Sequence, residues 1–148
     1  VTTIFGKKYD FHPSTRRNYT LYKSKDMNVT SHFTGLKSGV YYDKVEIELA
    51  NKERIKIDFH KQSIKGKSSL VQMSKENFAV KYVNRTSDKS VGKMFDPLKT
   101  MTKLSVQGKT PVNMFIDFQT RYVHFQFPES LPDPCEVSGL VVDDVKLD

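Results

Sequence analysis

"VYYDKVEIELANKERIKIDF", residues 40–59, decides the fold. In its first half Val45, Ile47 and Leu49 alternate with Lys44, Glu46 and Glu48, and in its second half Ile55, Ile57 and Phe59 alternate with Lys56 and Asp58. A β-strand sends successive side chains to opposite faces, so this period of two predicts two strands, each with one apolar and one wet face. Asn51 and Lys52 interrupt the pattern and join the strands as a hairpin.

The same logic extends in both directions. Toward the C-terminus, "VNMFIDF" (112–118) and "RYVHFQF" (121–127) flank a Gln119-Thr120 turn. Val123, Phe125 and Phe127 are expected to face the core, with Tyr122, His124 and Gln126 facing away. Toward the N-terminus, "NYTLYKS" (18–24) and "MNVTSHFTG" (27–35) pair around Lys25-Asp26. Between the hairpins, "SSLVQMS" (68–74) and "NFAVKYVN" (77–84) read as two shorter strands, and "RTSDKSVGKMFDPLK" (85–99) reads as a polar loop. "TKLSVQG" (102–108) resumes the strand pattern. In "FPESLPDPCE" (127–136) three prolines end pairing and lead the chain out of the sheet toward the last apolar run, "VSGLVV". About nine or ten strands and no amphipathic helix imply an all-β chain, an antiparallel β-sandwich or barrel-like module.

At 148 residues the chain has the size of a single domain, taken here as 1–148, able to bury a core without disulfides or a structural metal. It opens at Val1 with neither an initiator Met nor an apolar leader, which reads as a segment of a larger protein. No run approaches the roughly 18 apolar residues of a membrane helix, so no membrane span is expected. Its 24 basic and 17 acidic residues give a net charge of +7. The basic residues are spread over Lys7, Lys8, Arg16, Arg17, Lys23 and Lys25, and again over Lys52, Arg54, Lys56, Lys61, Lys65 and Lys67, with acidic residues breaking both sets. That spread reads as a solvated basic surface, with a glycan or anionic polymer as the alternative partner. Tyr9, Tyr22, Tyr41, Tyr42, Tyr82 and Tyr122 lie near Lys or Arg but read as core rim rather than as a base-stacking platform, so nucleic acid is not expected.

Chemistry-bearing motifs are sparse. His12, His32, His60 and His124 lack metal-ligand spacing, and the nucleophile elbow, P-loop and dinucleotide fingerprint are absent, so the expectation is a non-enzymatic protein without a cofactor. Three sequons, at Asn18, Asn28 and Asn84, each carry Thr at the third position, and they are candidate N-glycosylation sites. With Leu21 and Val29 facing inward, alternation points Asn28 outward, while Asn84 sits at a strand end. Cys135 is the only cysteine. It is either a buried thiol, a disulfide to a partner chain or to a segment outside this one, or a reactive group, and no neighbouring His or basic residue favours a thiolate. Asp143 and Asp144 in "VVDDVKLD", with Asp148 beyond, could present carboxylates to Ca²⁺, or serve as charges that protect a loop or edge strand.

Taken in order, "TTIFGKKYDF" (2–11), "NYTLYKS", "MNVTSHF" followed by "GVYYDKVEIELANKERIKI" (39–57), and "RYVHFQFPESLPDPCEVSGL" (121–140) resemble the von Willebrand factor type D module. The first is similar to that family's opening strand, with its F-D-G-x-x-Y/F-x-F pattern, and the last to the stretch that runs from a strand through a proline to a Cys-Gly-Leu-Cys-Gly element. Only Cys135 stands at a family cysteine position, the opening Asp is missing, and "VVDD" replaces the calcium loop. The resemblance therefore implies a divergent, cysteine-poor version of the kind found in large lipid-carrying or matrix proteins. The expectation is an extracellular, secreted structural or assembly module whose partners are other parts of its parent chain or copies of itself. The alternatives are a lectin-like or polyanion-binding sandwich, and a viral or intracellular interaction domain whose sequons are accidental.

Overall fold

The computed structural model describes residues 1–37, 39–79 and 98–143. Among these the chain is all-β: nine strands, no helix, and two antiparallel sheets. The first sheet has the order β1 (Asn18–Lys23), β2 (Met27–Leu36), β3 (Gly39–Leu49), β4 (Arg54–Asp58) and β5 (Ser63–Lys65). The second runs β6 (Val71–Ala79), β7 (Leu98–Val106), β8 (Val112–Asp117) and β9 (Tyr122–Gln126). Both are up-and-down meanders, and neither closes on the other, so the architecture is a sandwich rather than a barrel.

The alternation in 40–59 places the core. Val45, Ile47 and Leu49 of β3 and Ile55 and Ile57 of β4, with Phe59 beyond it, are at most 2% exposed, and they pack with Leu104, Val112, Met114, Ile116 and Val123 of the second sheet. Burying one such side chain contributes about 1.5–3 kcal/mol, which the outward residues between them do not supply. Tyr22 meets Phe125 and Phe127, and Phe59 meets Phe118, so aromatic rings join the two sheets.

Two bulges set which side chains face out. In β3 the register passes from Lys44 opposite His32 to Tyr42 opposite Phe33, leaving Asp43 as the extra residue. The phase of β3 changes there. Tyr42 turns inward and stacks on Phe59, while Asp43 joins Lys44 on the outer face. In β1 the shift between Thr20 and Tyr22 lets Leu21 and Tyr22 both enter the core.

The edge of β1 is covered. Ser138 exchanges backbone bonds with Lys23, and the N–H groups of Leu140 and Val141 donate to Thr20 and Leu21 carbonyls. Gly139 permits this approach, with φ at +117° and its α-carbon so close that a Cβ would lie 2.5 Å from the Leu21 carbonyl oxygen. Ile4 in turn donates to the Val141 carbonyl, and the Tyr9 hydroxyl bonds the Leu140 carbonyl.

Three expectations are corrected. The opening segment is a tight loop with a single bridge between Thr2 and Lys8 rather than a strand, because Gly6 turns the chain at φ +84°. "SSLVQMS" and the start of "NFAVKYVN" form the one strand β6, since β7 pairs with it continuously from Val71 to Ala79. The stretch expected as a loop at 85–99 already enters β7 at Leu98. Residues 80–97, with Asn84 and Tyr82, and 144–148, with Asp144, lie outside the described residues.

Candidate binding face

The outer face of the five-stranded sheet carries a groove of about 530 Å³. The register assembles it. Asn18 lies opposite His32, His32 opposite Lys44, Lys44 opposite Asp58, and Asp58 opposite Ser63. One row along, Thr30 lies opposite Glu46, Glu46 opposite Lys56, and Lys56 opposite Lys65. All of these residues line the groove, together with Asp43 and Lys61.

The acidic side chains of the face are satisfied within the protein. Arg54 reaches Glu46 at 3.2 Å and Glu48 at 2.9 Å. His32 Nδ1 lies 3.0 Å from Asp43 Oδ2. The Asp58 carboxylate accepts the backbone N–H of Lys61 at 3.0 Å, and that bond, with further contributions from the His60 N–H and the Lys44 and Lys61 charges, holds its pKa below the usual carboxylate range. The ammonium groups of Lys44, Lys56, Lys61 and Lys65, all exposed, have no carboxylate within ion-pairing distance among the described residues. Lys56 and Lys65 stand directly opposite one another, a like-charge arrangement that costs stability in a sheet.

A second concavity, of about 540 Å³, opens at the end of the sandwich beside β9. Phe11, Phe33, Tyr42 and Tyr122 line it, together with Arg121 and His124. Tyr42 sits deepest of these tyrosines, and desolvation pushes its phenol well above the ordinary 10.0, with the nearby Tyr122 and Tyr9 adding to the shift. The Tyr122 and His124 rings lie 4.6 Å apart, and both side chains face away from the core as the alternation of 121–127 anticipates.

The candidate site residues are dispersed. Asn18 is exposed at the first position of β1, at the rim of the lysine groove. Asn28 points outward from β2 as alternation requires, but it is half-buried and its Oδ1 has no partner among the described residues. Cys135 is exposed on the turn after Asp133, whose carboxylate accepts its backbone N–H at 2.9 Å, which removes the buried-thiol reading. Asp143 pairs with Lys7 on the strap side of the domain. Among the described residues no three His, Cys, Asp or Glu side chains gather in a way that could hold a metal ion.

The face as a binding surface was not visible in the basic residues alone. Their linear spread reads as a solvated surface, and only the pairing of β4 with β5 brings Lys65 beside Lys56. Comparison of the chain with protein-family models, curated proteins and solved structures returns no match.

Proposed function

We propose that this domain is a non-enzymatic structural or assembly module of a larger secreted glycoprotein, of the matrix or lipid-carrier type, bearing N-linked glycan. The observation that carries the reading is the placement of the first sequon. Asn18 is exposed, and Thr20, two residues on, lies on the same side of an extended strand, so a glycan there projects into solvent without disturbing the core. The resemblance of the strand series to the von Willebrand factor type D module supports the same placement. An exposed Cys135 agrees with a disulfide to a partner chain. Glycopeptide mass spectrometry on the naturally purified protein tests the proposal, by scoring occupancy at Asn18, Asn28 and Asn84 and the redox state of Cys135. Occupied Asn18 is the expected result. Bare asparagines with a free thiol would overturn it in favour of a viral or intracellular interaction domain.

A second reading, a lectin-like or polyanion-binding sandwich, is favoured by one observation: four outward lysines that no carboxylate reaches within ion-pairing distance among the described residues.

A further inference from the structure

We infer that the outer face of the five-stranded sheet is a binding groove for a sulfated polysaccharide, held by Lys44, Lys56, Lys61 and Lys65. The inference rests on the polyanion-binding reading and assigns it a site and a ligand class.

The electrostatic argument is one of unequal satisfaction. Seven charged residues line the groove, four basic and three acidic, so net charge alone would make it nearly neutral. The three carboxylates are already engaged, however: Glu46 by Arg54, Asp43 by His32, and Asp58 by a backbone N–H. These bonds aim the carboxylate oxygens at donors within the protein without cancelling their charge, so the groove keeps a small excess of positive charge, densest where Lys56 faces Lys65. The direct opposition of Lys56 and Lys65 is relieved when an anionic group lies between them.

Geometry selects a chain over a single ion. Lys44, Lys56 and Lys65 sit on three successive strands, so their backbones span roughly 10 Å across the sheet. That span suits anionic groups repeated along a polymer. Thr30 and Ser63, which line the same groove, offer hydroxyl groups to the sugar hydroxyls between sulfates. Nucleic acid fits less well. Among the described residues no Phe, Tyr or Trp side chain lines the groove, so it offers no stacking platform for bases there. The bidentate cation of the face, Arg54, is occupied by Glu46 and Glu48, which leaves point-charge ammonium groups suited to sulfate.

The test uses the purified chain with a heparin-derived oligosaccharide of defined length, by calorimetry over a series of salt concentrations. The paired variant Lys56→Gln/Lys65→Gln is compared with Lys52→Gln/Lys67→Gln, which removes the same charge from exposed positions outside the groove. The groove variant is expected to weaken binding at least about tenfold and to lower the salt slope by about one unit per lysine, while the control changes little. Thermal melting separates folding from binding, because removing the like-charge opposition should leave the unliganded groove variant as stable as the parent. No binding by the parent chain would overturn both the site and the polyanion reading. Binding by the parent with equal losses in the two variants would overturn the site alone. Equal affinity for single-stranded DNA, with the same lysine dependence, would overturn the assignment to polysaccharide.

Discussion

Gly139→Ala should detach the strap that covers the β1 edge. A Cβ at this position would lie 2.5 Å from the Leu21 carbonyl oxygen, 2.7 Å from its carbon and 2.9 Å from the Tyr22 nitrogen, and all three are backbone atoms that cannot swing aside. The backbone φ of +117° is itself a conformation that costs a residue with a Cβ about 1–3 kcal/mol. The alternative is for residues 138–141 to leave the edge. That abandons four backbone hydrogen bonds with β1, each of about 1 kcal/mol net, and exposes Leu140, which is otherwise buried. Release costs about 5 kcal/mol or more, while staying costs the φ strain of about 1–3 kcal/mol plus the backbone overlap, so the expected loss is at least about 3 kcal/mol, or a fall of roughly 6–12 °C or more in Tm for a chain of this size. Equilibrium urea unfolding measures it. The uncovered edge also offers unpaired N–H and C=O groups, so the variant should self-associate in size-exclusion chromatography as concentration rises. A loss under about 1 kcal/mol with an unchanged elution volume would refute the reasoning, since one of the two routes would then be cheaper than the backbone contacts allow.

Other expectations follow from the same geometry. Tyr42 has a raised phenol pKa, so its contribution to stability is intact below pH 10.0 and is lost as pH rises toward its folded value. Tyr42→Phe should therefore lessen the alkaline fall of the urea midpoint, by up to about 1.4 kcal/mol per pH unit, with Tyr22, also raised by burial, retaining part of it. An unchanged fall would exclude Tyr42 as its source. If Asn18 carries glycan, its position at the groove rim predicts that enzymatic deglycosylation tightens heparin-oligosaccharide binding, whereas an unchanged affinity would show that the glycan points away. Cys135, exposed in the native state, should react fully with a maleimide before denaturation in reduced recombinant protein, and protection there would contradict its position.

The sequence made the hairpin of 40–59 legible because both of its strands have one wet face, and a period of two survives even when the turn residues are ambiguous. It did the same for β8 and β9 and for β1 with β2. β5 escaped because three residues with a single inward Ile64 carry no period. β6 was divided because much of it is exposed on both faces, Met73 included, so its pairing with β7 rather than its own pattern extends it. The bulge at Asp43 has no sequence signature either. "YYDKV" reads equally well as unbroken alternation, and the shift shows only when β2 supplies the partner residues. The lysine groove inherits all of these difficulties, since it needs the identity of the wet face, the existence of β5 and the capture of Glu46 by Arg54.

The open face also separates two kinds of evolutionary freedom. Positions 44, 46, 54, 56, 58 and 65 look outward, while 45, 47, 49, 55, 57 and 64 look in, so neighbouring codons answer to different selective demands. Drift at the outward set can turn a basic surface into an acidic or neutral one, and so exchange one class of ligand for another, while the inward set keeps the architecture unchanged. Two descendants of such a domain could share a backbone almost atom for atom and yet have no partner in common.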